Sequence, residues 1–346
     1  MVERNKYDGS RVHLSLAGSG DPWSSLTKLR KRILRELHDV PDIIELASLL
    51  EMNLEELRSE IQPLMDASLV FTSNGEYRPS FLVTDISETQ KVYNHASEFS
   101  KTLADKIDAN YSNIRESYER LELSKKYKFD DVAFLFVGGR IIDIKLLEKL
   151  SKGNRVMPPA PSRPSPQRPD AHYYFFMVEG EAAHLGAYGQ DDTDMPWNSW
   201  HFLTFGQNII DGKANLERRQ LEKRYSDLIN TGTITNPEEI GAALDIPIIF
   251  PSDSRKWEKI EDPHAEYLCQ CYEEYEDSIK SLHTDLKSGH YAPHSLGEFF
   301  CWYAHIAYAS AIEILEEKGV LQIPSSRFQA AVWYRDRDKE GMLSEL

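Results

Sequence analysis

The sequence predicts an α+β protein that is mostly helical, with a helical N-terminal domain, a long connecting helix and a C-terminal domain built around a small antiparallel sheet. Three observations predict this class. Apolar residues recur at helical spacing over most long segments of the 346-residue chain. An Asn74-Gly75 pair separates two short apolar runs, which is the pattern of a β-hairpin. Aromatic runs after residue 170 are separated by glycine or polar turns, as strands are.

Composition and charge limit the classes of function. The net charge of −16 disfavours non-specific attraction to nucleic acid or to an anionic membrane, so a nucleic-acid contact needs a local basic patch. The three cysteines, Cys269, Cys271 and Cys301, give no disulfide framework and indicate a reducing, cytoplasmic location. The longest uncharged apolar run, residues 299–312, is shorter than the roughly 20 residues that span a bilayer. Residues 1–25 lack the apolar segment of a secretory signal and predict a loose leader.

Residues 26–85 predict three helices and a hairpin. The first helix covers residues 26–38, the second begins at Pro41, and the third follows a short turn at Met52 and Asn53. Residues 69–71 predict a strand, Asn74-Gly75 predicts the tight turn, and residues 77–83 predict the returning strand. Together these signals predict a compact domain of three helices with a β-ribbon.

Residues 86–125 predict a long connecting helix, because they are polar and contain neither glycine nor proline. A heptad pattern places apolar side chains along one stripe, with three polar misfits at Ser100, Asn110 and Ser117. The apolar positions are Tyr93, Ala96, Leu103, Ile107, Ile114 and Leu121. This stripe predicts either a coiled-coil contact in a homodimer or a helix that packs on its own chain.

Residues 126–346 predict an α+β domain that binds a ligand or a partner. Residues 131–150 are apolar and fit either a buried helix, which their length favours, or a strand, a turn and a helix. The proline-rich segment 157–170 predicts a solvated loop. Three strands are predicted at residues 172–179, 182–188 and 200–205, with helices in the remainder.

Four short motifs within residues 26–85 carry a family resemblance. They are Ile44-x-Leu46-Ala47-x-x-Leu50, Leu57-x-x-x-Ile61-x-x-Leu64, Ala67-Ser68-Leu69-Val70 and the Asn74-Gly75 turn. Their order resembles the winged helix-turn-helix domain of prokaryotic transcription regulators such as the ArsR and MarR groups. The family has a glycine before the Leu-Val pair, where this sequence has Ser68.

The resemblance implies a transcription regulator that binds double-stranded DNA, with the third helix in the major groove and the hairpin beside a phosphate strand. The residues expected to meet phosphates are Lys28, Arg30, Lys31, Arg32, Arg35, Arg58 and Arg78, and those expected nearest base edges are Asn53, Ser59 and Gln62. The local charge argues against this reading, because residues 26–85 hold seven Lys and Arg against eleven Asp and Glu. A second hypothesis is therefore an adaptor that uses the same domain to bind a protein without binding DNA.

A third hypothesis is an enzyme or ligand site on the predicted helix after Ser295. Glu298, Cys301 and His305 are spaced by three and four residues, so they share one face of that helix and offer donors for a metal ion or a ligand. Eight of the eleven histidines follow residue 150. The alternative is that these polar groups are satisfied within the core. The sequence identifies no catalytic residue and no cofactor.

Overall fold

The computed structural model describes residues 8–152, 155–164, 168–186, 188–207, 216–232, 234–324 and 328–335, without the side chains of residues 19, 207 and 216–219. The predicted class is confirmed: the protein is α+β, mostly helical, with small sheets. The chain forms two compact units. The first contains Met1–His95, Met157–Leu185 and Tyr275–Tyr303, and the second contains Ala96–Val156, Gly186–Glu274 and Ala304–Leu346.

Three helices near the start of the first unit follow the predicted order. Each begins at a residue whose side chain accepts hydrogen bonds from the exposed N–H groups of the first turn, namely Thr27, Asp42 and Asn53. Asn53 forms a reciprocal capping box with Glu56. The helices are α1 (Lys28–Asp39), α2 (Ile43–Leu50) and α3 (Leu54–Asp66). Their inward faces form one apolar core that includes Leu34, Leu37, Leu46, Leu57, Ile61 and Leu64.

A tight hairpin follows α3, as predicted. The Asn74 and Gly75 φ angles of 53° and 83° are the left-handed pair that a two-residue hairpin turn requires. The antiparallel strands are β2 (Val70–Ser73) and β3 (Glu76–Pro79). The prediction of one returning strand over residues 77–83 is wrong, because the ladder ends at Pro79, which has no N–H to donate. The chain resumes as β4 (Leu82–Thr84) in a different sheet.

The second sheet of the first unit contains a strand from the predicted leader. Residues Val12–Ser19 form β1, which pairs antiparallel with β5 (His172–Glu179), and β5 pairs parallel with β4. The expectation of a loose segment is therefore wrong at β1, whose half-buried Val12, Leu14 and Leu16 pack against the core. Residues 1–7 of that predicted leader lie outside the described residues. The bounds predicted for β5 are confirmed, but the sheet is mixed rather than antiparallel.

The long helix α4 (Ile86–Tyr118) confirms the predicted helix. In the second unit its apolar stripe is covered by the chain itself. The Phe99 ring packs edge-on against Tyr272, and the Asn110 amide nitrogen lies 2.8 Å from His264 Nδ1. Asn110 and Ser100, two of the polar misfits, are buried. This packing supports the interpretation in which α4 contacts its own chain, and a homodimer through this stripe remains a prediction.

Residues 129–151 are helical throughout, so the buried-helix interpretation is the one observed. The segment begins as α5 (Phe129–Ala133), continues as a π-helix (Phe134–Lys145) and ends as α6 (Leu146–Ser151). Gly138 leaves space for the Phe205 ring, which occupies the position that a larger side chain would take. A Cβ atom there would come within 2.3 Å of Phe205 Cε1.

A four-stranded sheet completes the second unit in the order β6-β7-β9-β8. These strands are β6 (Tyr188–Asp194), β7 (Trp200–Gln207), β8 (Ile248–Ile249) and β9 (Ala330–Tyr334). The predicted strand over residues 182–188 is wrong. Ala182–Leu185 forms a 3-10 turn, and Gly186 then adopts a φ of 90° that a strand does not allow. The sheet also departs from the predicted antiparallel form, because β8 and β9 are parallel.

Six further helices are described in the remainder of the chain. They are α7 (Leu216–Asn230), α8 (Pro237–Leu244), α9 (Pro251–Glu274), α10 (Glu276–Thr284), α11 (Lys287–Tyr291) and α12 (Ser295–Glu317). Within the described ranges, no helix has both the length and the apolar character needed to cross a bilayer. Three residues of the predicted proline-rich loop, 165–167, lie outside the described residues.

Replacing Ser68 by glycine is expected to stabilise the protein. Ser68 follows α3 with a φ of 57°, in the left-handed region where a residue with a Cβ atom is strained. We expect Ser68→Gly to raise the free energy of unfolding by about 1 kcal/mol, measured by urea denaturation. Ser59→Gly, the same substitution inside α3, is the control and is expected to lower it by roughly 0.5 kcal/mol. Equal effects of the two substitutions would contradict the strain at Ser68.

Candidate functional site

The outward stripe of α3 is acidic and polar. Because Leu57, Ile61 and Leu64 face the core, the opposite side of the helix carries Glu55, Ser59, Gln62 and Asp66. Gln62 donates a hydrogen bond to Asp66 Oδ1 at 2.7 Å. The stripe that would enter a major groove thus consists of two carboxylates, one hydroxyl and one amide that is already bonded to a carboxylate.

Three of the arginines predicted to meet phosphates bind carboxylates of their own unit. Arg35 is buried, and it donates to Glu179 Oε2 at 2.6 Å and to Asp39 Oδ2 at 2.8 Å. Arg30 Nε donates to Glu60 at 2.9 Å. The third, Arg78, is paired with Glu76. A buried, doubly paired guanidinium such as that of Arg35 does not fit the predicted phosphate contact.

The other predicted nucleic-acid residues differ in their exposure. Lys28, Arg58 and Ser59 are exposed, whereas Lys31 and Arg32 are half-buried on α1. The Asn53 side chain caps α3 through the Glu56 N–H at 2.8 Å, so its oxygen serves the helix terminus. Of the ten predicted residues, Arg35 is thus buried and Asn53 caps a helix, and the role of the others in binding DNA stays a prediction.

A cavity of about 590 Å³ lies beside the hairpin in the first unit. Three elements line it. The end of α1 contributes His38 and Asp39, the hairpin contributes residues including Glu76 and Arg78, and α11 contributes Lys287, His290 and Tyr291. Phe71 adds an apolar surface. The volume lies within the range of small-molecule sites, so this cavity is a candidate binding site.

Arg78 is oriented by three neighbours in the cavity wall. Its guanidinium carbon lies 5.0 Å from the centre of the Tyr291 ring, and Nη1 donates to the backbone oxygen of His38 at 3.4 Å. Nη2 and Nε donate to Glu76 Oε2 at 3.1 and 3.3 Å. The aromatic ring and the backbone oxygen orient the Arg78 side chain, and its Nε and Nη2 donors are bound to Glu76.

His38 connects the cavity to a buried carboxylate. Its Nδ1 lies 2.7 Å from the Tyr291 hydroxyl, and its Nε2 lies 3.0 Å from Glu88 Oε2. Burial disfavours ionisation of Glu88, but hydrogen bonds from His38 and from the Lys287 and Asp85 N–H groups outweigh it and lower the Glu88 pKa. Burial raises the pKa of Tyr291 well above its usual value. The His38 imidazole therefore lies between the ionised carboxylate of Glu88 and the protonated phenol of Tyr291.

Lys287 joins two carboxylates at the edge of the cavity. Its Nζ donates to Asp39 Oδ1 at 2.7 Å and to Asp85 Oδ2 at 2.9 Å. Despite partial burial, these bonds lower the pKa of both aspartates and raise that of Lys287. In the described part of the chain, donor atoms close enough to share a metal ion are found on His38, Asp39 and Asp85. Because the Lys287 ammonium bonds to both aspartates and both His38 nitrogens have partners, this group is already satisfied by the protein.

Glu298, the first residue of the predicted ligand set, is a structural carboxylate. It is fully buried in the first unit, accepts from Arg163 Nη2 at 2.6 Å, and also accepts from the N–H groups of Leu82 and Phe175 at 2.7 and 3.4 Å. Burial raises the pKa of Glu298 to about 7, although the Arg163 charge and the N–H donors oppose the shift. Glu298 therefore links β4, β5 and the segment that carries Arg163.

Cys301 and His305 have separate environments. Cys301 is buried in the first unit, and His305, in the second unit, places Nε2 3.6 Å from Asp143 Oδ1 and its ring against Tyr308. No donor group formed by Glu298, Cys301 and His305 appears in the described ranges, so the metal version of the enzyme hypothesis lacks its ligand set there. The shared helical face is explained by partners within each unit.

Sequence reasoning missed most of the cavity. His38 and Tyr291 are 253 positions apart, and no local pattern relates them. One signal was readable: Asp85 and Glu88 form a capping box at the start of α4. Glu88 N donates to Asp85 Oδ1 at 2.9 Å, and Asp85 N donates to Glu88 Oε2 at 3.0 Å. Comparison with models of protein families, with curated proteins and with solved structures found no match.

The raised pKa of Glu298 predicts how stability depends on pH. A folded-state pKa near 7, above the ordinary 4.5, means that folding favours the protonated acid. This stabilisation is complete below about pH 4.5 and is lost as the pH rises through 7. We expect the free energy of unfolding of the wild type, minus that of Glu298→Gln, to fall by roughly 3 kcal/mol between pH 4.5 and pH 8 in denaturant titrations.

Glu88→Gln is the matched control, because it removes a buried carboxylate whose pKa is lowered instead of raised. Its difference from the wild type is expected to shrink as the pH falls below 4.5, since Glu88 then loses the ionised form that the fold stabilises. A wild-type minus Glu298→Gln difference that is flat or rises with pH would show that Arg163 and the backbone donors outweigh burial.

Proposed function

We propose that residues 26–85 form a winged helix-turn-helix domain that docks a protein partner and does not read DNA. The helix order α1-α2-α3 and the left-handed Asn74-Gly75 turn before β3 support the first part. Ser68 adds support, because it holds a φ of 57° at the position where the resembling family has glycine. A left-handed residue after the third helix turns the chain directly into β2.

The surface charge of α3 carries the second part of the proposal. Affinity for DNA comes mostly from cations that meet phosphates, and specificity comes from side chains at the groove-facing stripe. Here that stripe presents the carboxylates of Glu55 and Asp66, and the predicted phosphate contacts Arg35 and Arg30 bind Glu179 and Glu60 instead. Because Arg30 and Arg35 bind carboxylates of their own unit, they do not offset the carboxylates on the outer face of α3, and that face repels a polyanion.

The chemistry of the partner follows from the same two helices. Ile44 on α2 is 69% exposed, the largest exposure of any large apolar side chain in the described residues. Glu51, at the end of α2, and Glu55, in the first turn of α3, are exposed carboxylates on the same helix pair. An apolar anchor with carboxylates nearby fits a basic protein segment that carries an apolar side chain.

The DNA part is tested by fluorescence anisotropy with a labelled mixed-sequence duplex over a salt titration. We expect no saturable binding even at low salt, because the outer face of α3 repels phosphates. Lys31→Glu/Arg58→Glu is the informative double variant. Binding by the wild type that weakens with salt and is lost in this variant would overturn the proposal in favour of a DNA-binding regulator.

The docking part is tested with a labelled peptide of alternating lysine, arginine and leucine. We expect the wild type to bind it, Glu51→Lys/Glu55→Lys to lose binding through charge reversal, and Ile44→Ser to weaken it about tenfold through the lost apolar anchor. Glu116→Lys/Glu119→Lys makes the same change in net charge at exposed positions of the other unit and is expected to bind as the wild type does. If both charge reversals lose peptide binding equally, the attraction is non-specific and the proposed docking surface is wrong.

A further inference from the structure

The wall of the cavity beside the hairpin contains two ion pairs. Glu76 pairs with Arg78, and Lys287 pairs with Asp39. All four of these residues line the cavity. Their formal charges cancel, so the cavity offers one anion site and one cation site without a net charge of its own. A ligand with a single charge would give this wall a net charge, whereas a zwitterion would not.

In each pair, one member is fixed and the other is exchangeable. Arg78 is held by the His38 backbone oxygen and the Tyr291 ring, and Asp39 is also bound by Arg35 at 2.8 Å. Glu76 and Lys287, in contrast, have side chains that are 51% and 50% exposed. Exposed ion pairs contribute little to stability, so Glu76 can leave Arg78 for water at small cost. Lys287 can leave Asp39 because its second bond, to Asp85 Oδ2 at 2.9 Å, remains.

We propose that this cavity binds a small zwitterion of the amino-acid class. The carboxylate of the ligand takes the place of Glu76 on Nε and Nη2 of Arg78, and its ammonium group takes the place of Lys287 Nζ on Asp39. Displaced Glu76 turns to solvent and Lys287 keeps its bond to Asp85, so the charge of the cavity wall plus ligand is unchanged. The ligand side chain lies against the apolar surfaces of Phe71 and Tyr291.

The site would connect three elements that are distant in sequence. Arg78 lies on β3, Asp39 ends α1, and Tyr291 ends α11. A zwitterion bound across them stabilises the native state by an amount that grows with the logarithm of its concentration above Kd. Binding in this cavity is independent of the proposed partner of α2 and α3, because it uses the charges of Arg78 and Asp39 and not the acidic outer stripe of α3.

The test uses the full chain and measures thermal unfolding and calorimetric binding with L-leucine and L-phenylalanine at millimolar concentrations. We expect both to raise the melting temperature. N-acetyl-leucine lacks the ammonium and leucinamide lacks the carboxylate, so each is expected to bind at least about fivefold more weakly than leucine. No response to either amino acid would overturn the proposal. Equal binding of leucine and one of its analogues would overturn it too, by showing a site for one charge only.

Variants of the wall locate the site. Glu76→Gln removes the internal competitor for Arg78 and is expected to tighten leucine binding by up to about fivefold, while Arg78→Gln abolishes it. Glu98→Gln and Arg115→Gln remove members of exposed ion pairs in the other unit and serve as controls that bind leucine as the wild type does. If Arg78→Gln fails to fold, Glu76→Gln alone decides: unchanged or weaker binding in that variant would overturn the assignment.

Discussion

The contact between Glu298 and Arg163 is the constraint on which the first unit depends. One buried carboxylate accepts from a guanidinium and from the N–H groups of Leu82 and Phe175, and the same guanidinium donates to the Tyr173 backbone oxygen at 2.8 Å. Three chain segments that are far apart in sequence therefore meet at one charge pair. Burying these polar groups is costly, and the cost is recovered only because nearly every donor and acceptor among them finds a partner.

Arginine and lysine side chains elsewhere in the first unit also bind carboxylates. Arg35 uses its guanidinium to join α1 to Glu179 of β5, and Asp39 passes the network on to Lys287. Each cation used in this way stabilises the fold and is withdrawn from solvent. Arg30 and Arg35 are therefore bound to carboxylates of their own unit, while the outward stripe of α3 presents Glu55 and Asp66.

Local signals in the sequence predicted local structure well. Helical spacing located α1, α2, α3 and α4, and the Asn74-Gly75 pair located the hairpin, because each pattern acts within a few residues. The eight-residue strand β1 was missed, although Val12, Leu14 and Leu16 alternate with other residues as in a half-buried strand. The parallel pairing of β4 with β5 was missed because strands 90 positions apart leave no joint pattern. The cavity shares this limit: the sequence marked Arg78 only as a basic residue of the predicted hairpin and gave no signal for Tyr291, and only the tertiary fold brings them together.

The first unit is assembled from segments interrupted by most of the second, and this has a consequence for how the chain folds during synthesis. The edge strand β1 pairs with β5, so Val12 has no partner until Glu179 has left the ribosome. Glu298 emerges later still. The nascent N-terminal part thus exposes an unpaired strand edge for the time that more than a hundred further residues are translated, a period in which transient association with a chaperone would suppress aggregation.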